Sequence, residues 1–335
     1  MVEITERPAR AKAKVIARRF FRHENTPLLF VLIAIVLIMG YFTGGKTLSY
    51  INIKNNLLIS SITGIASVGQ GMVILTAGID VSLGGIAMFC SVLGAGVMAT
   101  NWQNIIGNPL PIGLGALIML LAGLGWGSVN SILVAFVGIP ALISTLGLWQ
   151  ITEGVGVAVS GGHDIGWQPE GLAWFGTGNI AGVPVPVIIF IIVAVLAYFA
   201  LNHTTYGRSL YAVGSNPLGA WLSGVNVKMI IFSVYAIAGL LAGLASFAML
   251  GRMMFASNRS LEGLEIDSIA AATVGGVSLM GGRGTVIGVV LGTLIMGVVE
   301  NTMTVLNADP ATHGIVKGAI IILAVVIDYI RRRRG

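Results

Sequence analysis

Charge is what this sequence lacks most. Lys, Arg, Asp and Glu make up 10% of its 335 residues, against about 25% in soluble domains. Ten of the charged residues lie in positions 1–24 and five in 328–335, leaving 17 for the 303 positions between. That is too few to solvate a globular surface, so a soluble enzyme, a nucleic-acid binder and a disordered chain are all excluded. Cysteine is nearly absent as well. Cys90 stands alone in an apolar run, which rules out an intramolecular disulfide and a cysteine-based metal cage. No cleavable leader is evident, because the first apolar stretch starts only at Pro27 and has no small-residue cleavage site. Catalytic signatures are missing too: there is no Gly-x-Ser-x-Gly elbow with partners, no His-Glu-x-x-His and no paired aspartyl motif. His23, His163, His203 and His313 fall in tails, loops or the ends of apolar stretches. Without a Gly-x-x-x-x-Gly-Lys-Ser/Thr loop, the chain cannot itself cradle the phosphates of ATP. No cofactor is expected.

What the sequence does have is apolar length. Hydrophobic residues are 56% and mean hydropathy is +0.92. A bilayer core needs about 20 apolar residues per helix, and ten stretches approach that length: 27–43, 56–77, 83–101, 112–136, 140–160, 184–201, 229–250, 267–282, 285–304 and 314–330. Their apolarity is continuous and does not alternate, which argues against a membrane barrel. Most are interrupted by some of the 47 glycines, and small residues let membrane helices approach closely. The expected fold is all-α, a polytopic membrane protein of about ten helices, some of them discontinuous. One transmembrane domain over 27–330 then lies between a basic arm, 1–26, and a basic tail, 331–335.

The net charge of +6 is terminal. Arg7, Arg10, Lys12, Lys14, Arg18, Arg19 and Arg22 crowd one end and Arg331 to Arg334 the other, which suits anionic headgroups of a lipid bilayer better than nucleic acid. With ten spans both termini share one side. That side collects fourteen Lys and Arg, including Arg208, Lys228 and Arg283, against Lys46, Lys54, Arg252 and Arg259 opposite, while Lys317 falls inside the last span. The imbalance predicts that both ends are cytoplasmic. Residues 9–21 mix Arg and Lys with Val15, Ile16, Phe20 and Phe21, the pattern of either a short interfacial helix or a basic tail.

Polar groups inside apolar stretches need a purpose. Asp80, in Gly78-Ile79-Asp80-Val81-Ser82, either marks a break lining a substrate path or, with Ser82, caps the helix that follows. Ile266-Asp267-Ser268 repeats the pattern and hints at an internal repeat. Glu153 should face a partner, a wet cavity or the interface. Gln70, Asn130, Glu300 and Asn301 suit helix–helix hydrogen bonds at least as well as a path. Gly281-Gly282-Arg283-Gly284 reads as a tight turn. Two loops are long. The one over 160–184 is glycine-rich and holds Trp167, Trp174 and Phe175 with no basic residue. In the other, over 202–228, Asn216-Pro217 starts and Gly224 ends a short helix. Presented by a membrane domain, such a helix is a knob for a groove on a partner.

Four segments, GIDVSLGG (78–85), VNSILVAFVGIPALISTLG (129–147), TTYGRSLYAVGSNPLGAWLSGVNV (204–227) and IDSIAAATVGGVSLMGGRGTVIGVVLG (266–292), carry a resemblance. In this order they resemble the permease subunit of bacterial ABC importers, in the ribose and simple-sugar branch related to branched-chain amino-acid permeases. The similarity covers most of residues 60–325 and is specific as a set. It departs at Trp221 and Glu153, where many relatives carry a basic residue. The resemblance implies ATP-binding subunits, an extracytoplasmic solute-binding protein and a second copy of the permease or a homologous one, all at a bacterial cytoplasmic membrane. Asn216, Pro217, Leu218, Trp221, Leu222, Ser223 and Gly224 would then form the segment that couples to the ATPase, and Gln70, Asp80, Asn130, Glu153 and Asn301 are candidates for the path. The rival reading is an ion-coupled secondary transporter that uses Asp80 or Glu153.

Overall fold

The computed structural model describes residues 25–334, with side chains as far as residue 330. The interfacial helix considered for residues 9–21 lies outside them. The ten apolar stretches all become helices: α1 (Thr26–Phe42), α2 (Tyr50–Leu75), α3 (Leu83–Met98), α4 (Ile112–Ile132), α5 (Ala141–Ser160), α7 (Val185–His203), α10 (Val227–Met253), α11 (Leu264–Val274), α12 (Val286–Val305) and α13 (Pro310–Arg334). Between them lie the short α6 (Ala173–Thr177), a small antiparallel pair β1 (Asn179–Ile180) and β2 (Val183–Pro184), α8 (Thr205–Ser215) and α9 (Pro217–Leu222). The chain is an all-α polytopic membrane protein. Among the described residues seven helices, α2, α4 with its π-turn extension, α5, α7, α10, α12 and α13, are long and apolar enough to cross a bilayer. The other three are shorter. α11 has 11 residues, about 16 Å at 1.5 Å per residue, so the full span expected over 267–282 is a half-helix followed by a turn. Gly276 (φ +84°) makes that stop, with its N–H donating to the Thr273 carbonyl at 2.9 Å and the Val277 N–H to Ala272 at 3.0 Å.

Contacts between loops define the two ends of the bundle. At one end the Gly282 N–H donates to the Leu75 carbonyl (2.9 Å), Tyr211 Oη to Gly284, Ser278 Oγ to Asp328, and Thr285 Oγ1 to Asn25. Asn25, the last turns of α13 and the α8–α9 pair therefore share this end. At the opposite end Ile165 pairs with Ala256, Thr100 donates to Trp167, and Ser160 to Asn258.

The packing is two-fold in pattern. α2 and α10 run side by side through the centre in opposite directions. α10 packs on α3 and α4, and α2 packs on α11 and α12. Within each half the second helix touches the third and fourth: α3 meets α4 and α5, and α11 meets α12 and α13. Each half thus lends its first helix to the other, and the repeat hinted at by the two Ile-Asp-Ser-like segments exists as an inverted arrangement.

Lipid tails are as apolar as leucine, so helix association depends on close approach. Gly123 and Gly127 of α4 face Gly239 and Gly243 of α10. A Cβ on Gly127 would sit 2.5 Å from the Tyr235 carbonyl oxygen and 3.0 Å from the Gly239 Cα, so no larger residue fits without separating the helices. Many of the deepest side chains, among them Ile62, Ile65, Ile74, Leu83, Ile86, Tyr235 and Leu250, lie on α2, α3 and α10. The outer helices keep apolar faces exposed, and α13 is unburied over residues 310–330. Such faces need lipid or another protein against them.

Candidate functional site

The α8–α9 pair is built by local capping. Thr204 accepts the Gly207 N–H (3.3 Å) to begin α8, and Asn216 accepts the Gly219 N–H (3.0 Å) to begin α9, with Pro217 at its first turn. α9 ends at Ser223 because Gly224 (φ +84°) turns the chain, and the Val225 N–H returns to the Ala220 carbonyl at 3.0 Å. Only Ala220 is buried. Leu218, Trp221 and Leu222 are 65%, 63% and 72% exposed, an apolar triplet on a six-residue helix. α8, by contrast, is tied down. A Cβ on Gly214 would collide with the Leu75 carbonyl and lie 2.7 Å from the Gly282 nitrogen, so α8 rests directly on the end of α2 and on the turn after α11. Tyr206 Oη meets Ser233 Oγ at 2.8 Å, which adds α10.

Beyond Leu75 the chain turns at Ala77 (φ +61°) and runs back, non-helical, along α2 before α3 starts. Exposed backbone at membrane depth is tolerated only where its polar groups are satisfied. With its amide oriented to suit, Gln70 does this, donating to the Asp80 carbonyl (3.1 Å) and accepting the Asp80 N–H (3.2 Å). Asp80 Oδ1 accepts the Ser82 N–H (2.9 Å) and Ser82 Oγ (2.6 Å). Asn130 Nδ2 donates to Ser82 Oγ at 2.7 Å, and Ser144 Oγ to Asn130 Oδ1 at 3.1 Å. Gln70, Asp80, Ser82 and Asn130 are all fully buried. The cap is Asp80, acting on a turn, while the Ser82 side chain makes no helix-cap bond of its own.

The second half places a different polar group in the matching location. Lys317 Nζ of α13 binds Asp267 Oδ1 of α11 at 2.7 Å and also pairs with Glu300 of α12. These side chains are 18–28% exposed. Nearby, Glu265 lies beside Glu153, Glu262 and Asp267. Its Oε2 has no hydrogen-bond partner among the described residues, and a Cβ on Gly84 would land on that oxygen. The first turns of α3 and α11 therefore meet inside the bundle.

Residues 52–325 match the family described as branched-chain amino acid transport system, permease component. The chain belongs to that family. Among curated relatives, this permease is 33% identical over 322 residues to the ribose import permease of Escherichia coli K12, covering 94% of this chain and 97% of the relative. It is 35% identical over 314 residues to the fructose import permease of Rhizobium meliloti (91% and 85%) and 33% over 300 residues to the D-allose transport permease of E. coli K12 (89% and 90%). No solved structure matches the chain.

Of the residues singled out from the permease's sequence, three of the path candidates, Gln70, Asp80 and Asn130, come together. Glu153, half-buried on α5, and Asn301, half-buried on α12, stand apart from them. Sequence reasoning missed Glu265 and the bridging role of Lys317. Both carried a signal, because each is a charge placed in or beside an apolar stretch where an unpaired charge is costly.

Proposed function

We propose that the chain is the membrane-spanning subunit of an ATP-driven importer, carrying a sugar or sugar-like solute handed over by an extracytoplasmic binding protein. The family and the sugar permeases among the relatives support the class. The observation that carries the mechanism is α9: three exposed apolar side chains on a capped helix whose neighbour α8 bears on Leu75, Gly282 and Ser233. An ATP-binding subunit would take Leu218, Trp221 and Leu222 into a groove. Movement of that subunit would reach the end of α2 and the turn after α11 at once, and so both inverted halves. The α9 end faces the cytoplasm on this reading, with both termini, which suits the excess of Lys and Arg there. The exposed faces of the outer helices would meet lipid and a second permease, a copy or a homologue.

Within this scheme Gln70, Asp80 and Asn130 are positioning residues that hold the break before α3, while Glu153 and Asn301 line the path. The path needs no cofactor and no catalytic group, since solute must bind weakly enough to leave it. The test is purification in mild detergent with the neighbouring chains identified, paired with Leu222→Asp. A copurifying ATPase that is lost in the variant is the expected result. Normal association and normal uptake in Leu222→Asp would remove α9 from the mechanism, and labelling of a cysteine at position 5 from outside intact cells would reverse the orientation.

A further inference from the structure

Two adjacent glycines stand in the first turn of α3, and each makes room for a different element. A Cβ on Gly84 would land on the Glu265 carboxylate of α11. One on Gly85 would sit 2.5 Å from Thr152 Oγ1 of α5, the residue before Glu153. The head of α3 thus brings Glu265 and Glu153 together, with Glu262 and Asp267 in electrostatic reach. Asp267 in turn shares Lys317 with Glu300. Five acids gather here with one lysine, and that lysine is already taken.

Glu265 is the member that the fold does not explain. It is only 8% exposed, and its Oε2 has no partner among the described residues. Its place in the first turn of α11 sets the charge near the free N–H groups of that helix, which accounts for a carboxylate being tolerated there. It does not supply Oε2, aimed at the head of α3, with a donor, and an unpaired buried charge is costly. Exposure falls from Glu262, exposed, through Glu153, half-buried, to Glu265, buried. The segment that carries Glu262 is anchored at the end opposite α9, where Ile165 pairs with Ala256 and Ser160 with Asn258. The acids therefore lead inward from that end.

Among the described residues, no three of these side chains converge on a point that a metal ion could occupy. Acids spread over several elements suit a larger cation, one that carries its charge on N–H donors. A neutral sugar would bring hydroxyl donors but leave the excess negative charge uncompensated. We propose that Glu265, facing Gly84 and flanked by Glu153 and Glu262, binds the protonated amine of an amino sugar or amino polyol in transit through the permease. This sets the solute apart from ribose, fructose and allose, the neutral sugars for which relatives are named. That the ligand is in transit rests on the importer reading above; that the site takes an amine does not.

The test uses the full-length protein in mild detergent, with glucosamine and glucose as probes at neutral pH, where most of the amine is protonated. Saturation-transfer NMR titrations read the weak binding that a transport path requires. The wild type should bind glucosamine about tenfold more tightly than glucose, or better. Glu265→Gln, which keeps the shape and removes the charge, should erase that preference and leave glucose as it was. Gly84→Ala, which displaces the carboxylate, serves where Glu265→Gln does not fold. Glu153→Gln should weaken glucosamine less, and Glu170→Gln, in the loop over 160–184, should have no effect. Equal binding of the two probes by the wild type, binding of neither, or a glucosamine preference that survives both Glu265→Gln and Gly84→Ala would overturn the site. An ATPase that copurifies while the probes bind alike would sink the amine and leave the importer. Glucosamine preference in a chain that associates with no ATPase would do the reverse.

Discussion

The two inverted halves solve the same problem with different chemistry. Each brings a non-helical segment or half-helix into the bundle and ties it to the helices that follow. In the α2–α5 half the tie is one acid among neutral partners, Gln70, Ser82, Asn130 and Ser144, almost wholly out of water. In the α10–α13 half it is one lysine between two acids, each partly exposed at the protein's surface. A buried network whose members are tied to one another, here all but the second Asp80 carboxylate oxygen, is hard to open, because removing a member deprives another of its partner. An ion pair at the protein's surface is enclosed by fewer fixed neighbours and can part at lower cost. The comparison teaches that similar packing need not mean similar mobility: the first half is built to stay, and the second is built to be able to part.

The largest effect should come from what joins the halves. α8 bears on both, so Leu222→Asp on α9 is expected to lower uptake and substrate-stimulated ATP hydrolysis together, by about tenfold or more, a change worth about 1.4 kcal/mol or more. Insertion and melting temperature should stay the same in Leu222→Asp, whereas Gly224→Pro, which cannot adopt φ +84°, should insert but lose the turn that ends α9 and with it a similar share of uptake. Loss of uptake with full ATPase stimulation would mean that α9 does not carry the signal to both halves.

Next in size is the buried tie. Asn130→Leu strands Ser144 Oγ and removes the donor that Ser82 Oγ accepts, though Ser82 still donates to Asp80, and an unsatisfied buried group costs about 1–3 kcal/mol. A fall of several degrees in the melting temperature in detergent is expected. An unchanged melting temperature would show that this half is not rigid in the way argued.

Lys317→Met should cost less, because Asp267 and Glu300 are partly exposed and can move apart, and the double change with Asp267→Asn should recover part of the loss. Raising the salt should weaken the wild type toward Lys317→Met, while leaving the difference between wild type and Asn130→Leu as it was. Equal salt sensitivity in the two series would erase the distinction between the halves. Smallest of all is Gly84→Ala. Its Cβ would displace the Glu265 carboxylate, a flexible end that can move, so a modest loss of stability is expected, read as a small shift in melting temperature. A null effect would mean that α3 and α11 do not press on each other there.

Hydropathy is a property of neighbours in sequence, which is why the ten apolar helices, the charge-poor middle and the short capped helix after Asn216 could all be read from the residues alone. α9 needed only Asn216, Pro217 and Gly224 in order, each acting within a few residues of itself. The length of α11 was not so legible, because an apolar run continues to Leu279 and Met280 and only the backbone turn at Gly276 ends the helix. The partners of the buried polar residues were less legible still. Gln70, Asp80, Asn130 and Ser144 come from three different helices and a break, and Lys317 reaches Asp267 across 50 positions. A polar residue in an apolar run announces that it must have a partner, since desolvation without one is costly wherever it sits. Which partner it finds depends on how helices cross, and close approach at glycines such as Gly127 and Gly239 decides that only once the whole bundle has assembled.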